Sequence, residues 1–197
     1  LNTYLPQNHT TPDQGGTLAV SSDTNTGHGS TVTSCSSTDT GPSAPDSDSQ
    51  AKSCRWFSIP VALLGNVTSA KLKFNWAATG SLDISQDVAG SGTASIQVVI
   101  EYSLDGGANW TSQVNKTKSV SGANVSASLD APTSGSETIT LSNSQDTSLV
   151  QVRTRTDVFT SATAPSSGTV TSTASITTSI SAIQVEIELA QQILVMM

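Results

Sequence analysis

The stretch 169-TVTSTASITTSISAIQVEIELAQQILVMM-197 decides how this chain is to be read. It contains no Gly, Pro, Asn or Asp, and it alternates almost throughout. Val170, Ala174, Ile176, Ile180 and Ala182 share one parity. The parity then flips, and Ile183, Val185, Ile187, Leu189, Ile193 and Val195 carry the apolar side. A period of two with β-branched residues marks a half-buried strand. At ~3.3 Å per residue the run reaches about 90 Å, whereas ordinary strands have roughly 3–10 residues. No residue that favours a tight reversal is present to fold it back. Two expectations follow. Either the run is one long strand with a bulge at Ser181–Ile183, or its second half leaves its own domain and completes a neighbour.

The same alternation recurs upstream. Leu149–Phe159 sets Val150, Val152 and Val158 against Arg153, Arg155 and Asp157. Ala94, Ile96, Val98, Ile100 and Tyr102 form another strand, and Ala70, Leu72, Phe74, Trp76 and Ala78 a third, facing away from Lys71, Lys73 and Asn75. That parity sends Trp76 to the core. Shorter candidates run from Trp110 to Val120, Ser126–Leu129 and Glu137–Leu141, and Arg55–Leu64 is broken by Pro60, as an edge strand is. No segment has apolar residues at helical spacing. Many strands separated by Ser/Gly/Pro turns predict an all-β chain: an antiparallel, jelly-roll-like β-sandwich. The expected organisation is an extended Ser/Thr-rich arm over 1–53, a sandwich body over 54–182, and a C-terminal strand extension over 183–197 that is a candidate donor strand. Within the arm, Thr17–Val20 and Ser30–Cys35 are short β-like pieces.

Composition narrows the function. Ser and Thr supply 62 of 197 residues while charged residues are 12%, so the surface is made largely of hydroxyls, as suits a secreted β-protein. The formal charge is −7, and the eight Lys and Arg are scattered, which argues against nucleic acid as a partner. No apolar run is long enough for a helix to span a bilayer. Starting at Leu1, the chain fits either a mature exported form or a fragment. Cys35 and Cys54 flank a polar loop. A disulfide between them would contribute about 3 kcal/mol by loop-closure entropy and imply an oxidising, extracellular or cell-surface location; two free thiols are the alternative.

Candidate sites are few. Ser103-Leu104-Asp105-Gly106-Gly107-Ala108-Asn109-Trp110 has the pattern Ser-x-Asp-x-Gly-x-x-Trp. It resembles the Asp-box hairpin repeated in sialidase propellers and found in other secreted β-proteins. Because it occurs once, the resemblance implies a stable hairpin, in which Ser103, Asp105, Gly107 and Trp110 are the structural residues, and carries no active site. Sequons at Asn8, Asn66, Asn109, Asn115 and Asn124 are glycosylation candidates. Asp39, Asp46 and Asp48 are weak Ca²⁺ candidates, since such sites need roughly six to eight oxygens. Of Trp56, Trp76 and Trp110, only Trp56 is left free to offer an exposed platform for a sugar. His9 and His28 lie in the arm with no nucleophile or metal spacing about them, and Glu101, Glu186 and Glu188 fit solubility, so no catalytic residue and no enzyme activity is expected.

Across about residues 55–190 the body resembles secreted prokaryotic jelly-roll proteins of the donor-strand filament-subunit type, a likeness of pattern. The resemblance implies a subunit of an extracellular filament or pilus-like fibre that partners copies of itself head to tail, with Ile183, Val185, Ile187, Leu189, Ile193 and Val195 as the assembly strand. The alternative is a carbohydrate-binding or receptor-binding jelly-roll module of a secreted protein or phage fibre.

Overall fold

A computed structural model of the chain describes residues 2–3, 7–13, 21–22, 29–39, 47–58, 67–142, 149–164 and 168–189, with side chains described for 34, 36–39, 68–142, 149–164 and 168–188. The described strands are β1 (Asn2–Thr3), β2 (Gln7–Asp13), β3 (Ser21–Ser22), β4 (Gly29–Asp39), β5 (Ser47–Ser58), β6 (Val67–Gln86), β7 (Ser91–Ser103), β8 (Thr111–Gly122), β9 (Val125–Ser128), β10 (Ser134–Leu141), β11 (Gln151–Thr163) and β12 (Val170–Leu189). They form two six-stranded antiparallel sheets. One has the order β1-β5-β11-β7-β8 with β2 also on β5; the other has the order β10-β6-β12-β4-β3 with β9 also on β6. From β4 onward the chain passes back and forth between the sheets, apart from the β7–β8 hairpin and the β9–β10 step, which is a jelly-roll sandwich. Among the described residues no helix is long and apolar enough to cross a membrane.

Alternation builds the core as expected. Leu72, Phe74, Leu82 and Ile84 of β6 face Ile96, Val98 and Ile100 of β7, with Val150, Val152, Val158, Ile176 and Ile180 closing the layer; all are essentially buried, and Trp76 is 6% exposed. Gly80 sits at an inward position because Ile96 fills the space: a Cβ there would meet the Ile96 Cδ1 at 2.2 Å. Outward positions carry hydroxyls. Thr171, Thr173, Ser175, Thr177 and Ser179 follow one another along β12, between β6 and β4.

The long terminal run resolves into one bulged strand. Pairing with β6 proceeds from Val170 opposite Gln86 to Ser181 opposite Asn75, slips, and resumes at Gln184 opposite Lys73. Ala182 takes φ 50 at the slip. The extra residue restores the inward side to the odd positions, so Ile183 and Val185 pack against the core beside Leu72. Glu186 faces out and pairs with Lys73 at 2.7 Å. The segment expected as a donor is therefore paired within its own sandwich as far as Leu189, opposite Val67. Ile193 and Val195 lie outside the described residues.

The arm boundary at residue 53 also shifts. β4 pairs with β12 along eleven positions and β5 pairs with β11 along twelve, so 29–39 and 47–58 are internal strands of the body. At the described end of β4 the inward residues are polar. Ser37 is buried and its hydroxyl bonds to Thr160 Oγ1 at 2.8 Å and to the Thr160 carbonyl at 3.0 Å. Asp39, offered above as a calcium ligand, is 2% exposed and accepts the Ala164 N–H at 2.7 Å. Its carboxylate is thus buried at the end of β4. Asp46 and the Asp48 side chain lie outside the described residues.

Exposed edges are closed by charge. β8 is an edge strand, and Lys116 and Lys118, cross-strand from Val98 and Ile96, send their ammonium groups to the Asp130 carbonyl at 3.1 Å and its carboxylate at 2.8 Å. Inward-pointing lysines of this kind discourage edge-to-edge pairing. Glu137 completes the closure, accepting Trp76 Nε1–H and Gln113 Nε2–H, each at 2.9 Å, and so ties β6 and β10 to β8 of the other sheet.

Candidate binding face

The β7–β8 hairpin is built as its motif predicts. Ser103 Oγ donates to Asp105 Oδ1 at 2.7 Å and accepts the Gly107 N–H at 2.9 Å. Asp105 accepts the Asn109 backbone N–H at 2.9 Å and its side-chain amide at 2.7 Å. Gly106 and Gly107 supply φ values of 75 and 94, which L-residues adopt at a cost. The Asn109 N–H is the main reason that the Asp105 carboxyl is pulled down to about 2, helped by the Ser103 hydroxyl and the Asn109 amide. Trp110 closes the turn by donating its Nε1–H to the Gly107 carbonyl at 2.9 Å.

That turn delivers Trp110 to the outward face of the sheet holding β5, β11, β7 and β8. There the Arg153 guanidinium carbon lies 3.8 Å from the Trp110 ring centroid, a cation–π contact. Arg153 Nε donates to Glu101 Oε2 at 2.5 Å, and Arg155 holds the same carboxylate side-on through Nε and Nη2, both at 3.0 Å. Glu101 is 6% exposed, so this outward acid is a desolvated anchor and not a solubility residue. Burial alone would push its carboxyl up. The hydrogen bonds and charges of Arg155 and Arg153 outweigh that and hold it below the usual 4.5. Arg155 starts opposite Val99 and ends on Glu101, and Val99, although outward, is 5% exposed. Long stems cover apolar surface in this way.

Backbone register adds a further aromatic. Arg153 stands in backbone register between Glu101 on β7 and Trp56 on β5. Along the strand the outward rows continue through Asp157, Gln97 and Thr117 to Phe159, Ser95 and Ser119. Gln97 Nε2 donates to Asn115 Oδ1 at 3.1 Å beside this track.

The remaining sequence candidates are dispersed. Asn109 is engaged in the turn, Asn115 with Gln97, and Asn124, at φ 47, accepts the Gln86 N–H at 3.0 Å. The side chains of Asn8 and Asn66 lie outside those described. Those of Cys35 and Cys54 do too; their backbones pair with Ala174 in one sheet and Arg155 in the other. Among the described residues no group of three or more His, Cys, Asp or Glu could hold a metal.

No protein-family profile matches the chain, and no curated protein matches it. Among solved structures it is similar to TmCBM61 in complex with β-1,4-galactotriose, at 10% identity over 87% of this chain and 88% of that one, with TM-score 0.19. It is similar to the family 11 carbohydrate-binding module from Clostridium thermocellum in complex with a β-1,3-1,4-mixed-linked tetrasaccharide, at 11% identity over 86% of each chain, TM-score 0.17. A third likeness is to the xylan-binding module CBM15, at 13% identity over 83% of this chain and 97% of that one, TM-score 0.20. At these scores no residue correspondence follows. The jelly-roll assignment stands on the strand pairing itself.

Proposed function

We propose that the chain is a non-catalytic, extracellular glycan-binding module that takes its ligand on the outward face around Trp110. The observation that carries this reading is the row Trp110–Arg153, anchored by Glu101, with Trp56 in register on the far side of Arg153. Sugars offer an apolar C–H face and a rim of hydroxyls. An aromatic ring suits the first, and planar guanidinium and amide groups suit the second. Such a site binds well only when its side chains are held in advance, which lowers the entropy lost on association. The turn fixes Trp110, and the buried carboxylate fixes both arginines.

The filament reading fits less well. A donor strand has to leave its own sheet, whereas Gln184–Leu189 is paired with β6. Affinity electrophoresis through gels containing neutral β-linked polysaccharides tests the proposal: the chain is expected to be retarded by at least one of them, and Trp110→Ala to migrate freely. A chain that no polysaccharide retards, but that forms fibres, would restore the assembly reading.

A further inference from the structure

Resting on the glycan-binding reading, the geometry points to a narrower ligand class: we infer that the face takes an uncharged, extended sugar chain lying along β11 from Trp110 to Phe159, and not a single terminal sugar. Four outward residues of β11, Arg153, Arg155, Asp157 and Phe159, follow one another at every second position. From Arg153 to Phe159 this is about 20 Å at ~3.3 Å per residue, a length that accommodates several sugar rings in line. Aromatic groups stand at both ends, Trp110 on the Arg153 row and half-buried Phe159 on the last.

The middle of the track is polar and fixed. Gln97 uses Nε2 on Asn115 Oδ1, which leaves the Gln97 oxygen as an acceptor and the Asn115 amide as a donor, the pair of functions a ring hydroxyl can meet. Charge selects the class. Arg153 and Arg155 are balanced by Glu101 and Asp157 along the same line, and the two arginines already share the Glu101 carboxylate. Among the described side chains of β11 and β7 the two arginines are matched by two carboxylates, so a uronate or sulfated sugar would find no net positive charge on them, while a neutral chain loses nothing by its absence.

The test is calorimetric titration of the full chain with β-1,4-linked xylo-, gluco- and galacto-oligosaccharides of one to six rings, with galacturonate oligomers as the charged arm. For the series that binds, affinity is expected to rise about tenfold, some 1.4 kcal/mol, between two and four rings and then level off. Phe159→Ala is expected to remove that rise, whereas Trp110→Ala lowers affinity at every length. The exposed substitution Asn115→Ala is expected to weaken the four-ring ligand in the same way without touching the packing of Phe159. Affinity that depends on Trp110 but not on length, or tighter binding of the galacturonate series, overturns the inference and leaves the glycan-binding reading intact. No binding by any series removes both.

Discussion

The Arg153 guanidinium carbon lies 3.8 Å from the centre of the Trp110 ring, so a residue near the start of β11 is stacked on the last residue of a turn that precedes β8. The contact makes the Asp-box hairpin part of the sheet face. Trp110→Ala is expected to lower stability by about 1–2 kcal/mol, from lost apolar contact together with the cation–π term. Urea denaturation measures the change, and Trp110→Phe is expected to retain most of the stability.

Glu101 accepts hydrogen bonds from both arginines of this face. Replacing it by Gln leaves Arg153, largely buried, without its counter-charge and is expected to cost about 2–3 kcal/mol. Pairing Glu101→Leu with Arg153→Met is expected to recover most of that loss, because removing both charges also removes the desolvation cost. A double-mutant cycle in urea reads the difference.

Acid should weaken the fold through these two carboxylates. Each titrates lower in the fold than its ordinary value, 4.5 for Glu101 and 3.8 for Asp105. Their stabilisation is therefore complete above those values and is lost as pH falls through the folded ones, about 2 for Asp105. Asp105→Asn is expected to lower stability at neutral pH and to flatten its decline between pH 3.8 and about 2, as thermal melts at stepped pH would record.

The bulge at Ala182 supports a backbone prediction. An L-residue at φ 50 carries strain that glycine does not, so Ala182→Gly is expected to be neutral or to stabilise by up to ~1 kcal/mol, and Ala182→Val to destabilise by ~1–2 kcal/mol. Deleting Ala182 would remove the bulge yet leave Ile183, Val185 and Ile187 inward in regular alternation with Ile180, whereas inserting a second residue after Ala182 would turn them to solvent, with increased binding of a hydrophobic dye as the expected sign.

Ser172 is fully buried and its hydroxyl has no hydrogen-bond partner among the described residues. A desolvated hydroxyl that forms no bond is costly, so Ser172→Ala is expected to raise stability by about 1 kcal/mol. An unchanged or lower melting temperature would count against this packing.

Legibility in the sequence followed the chemistry of each strand's inner face. The strand from Ala70 to Ala78 could be read because one face is apolar and the other is not. The bulge could be read because a period of two exposes a single inserted residue as a change of parity between Ala182 and Ile183. β4 is legible only as the short β-like piece Ser30–Cys35, since at its end Ser37 and Asp39 point inward and Ser36 and Thr38 outward, leaving no contrast of hydropathy to detect. Of the candidate site, Ser103, Asp105 and Trp110 were visible as a local motif. Glu101, Arg153 and Arg155 were not, because more than fifty residues separate acid from bases and only the β7–β11 register unites them. The pattern Arg-x-Arg on one strand facing a lone outward Glu was the available signal, and it was read as ordinary surface charge.

The most direct test of the central claim follows the three indole N–H signals of the full chain by two-dimensional ¹⁵N–¹H NMR during titration with a neutral polysaccharide that retards it. Trp110 and Trp56 are on the Arg153 row, whereas Trp76 lies in the core with its N–H bound to Glu137. Saturable shifts of the Trp110 and Trp56 signals are expected, with Trp76 unmoved. Shifts confined to Trp76, or no indole shift at saturating ligand, would contradict it.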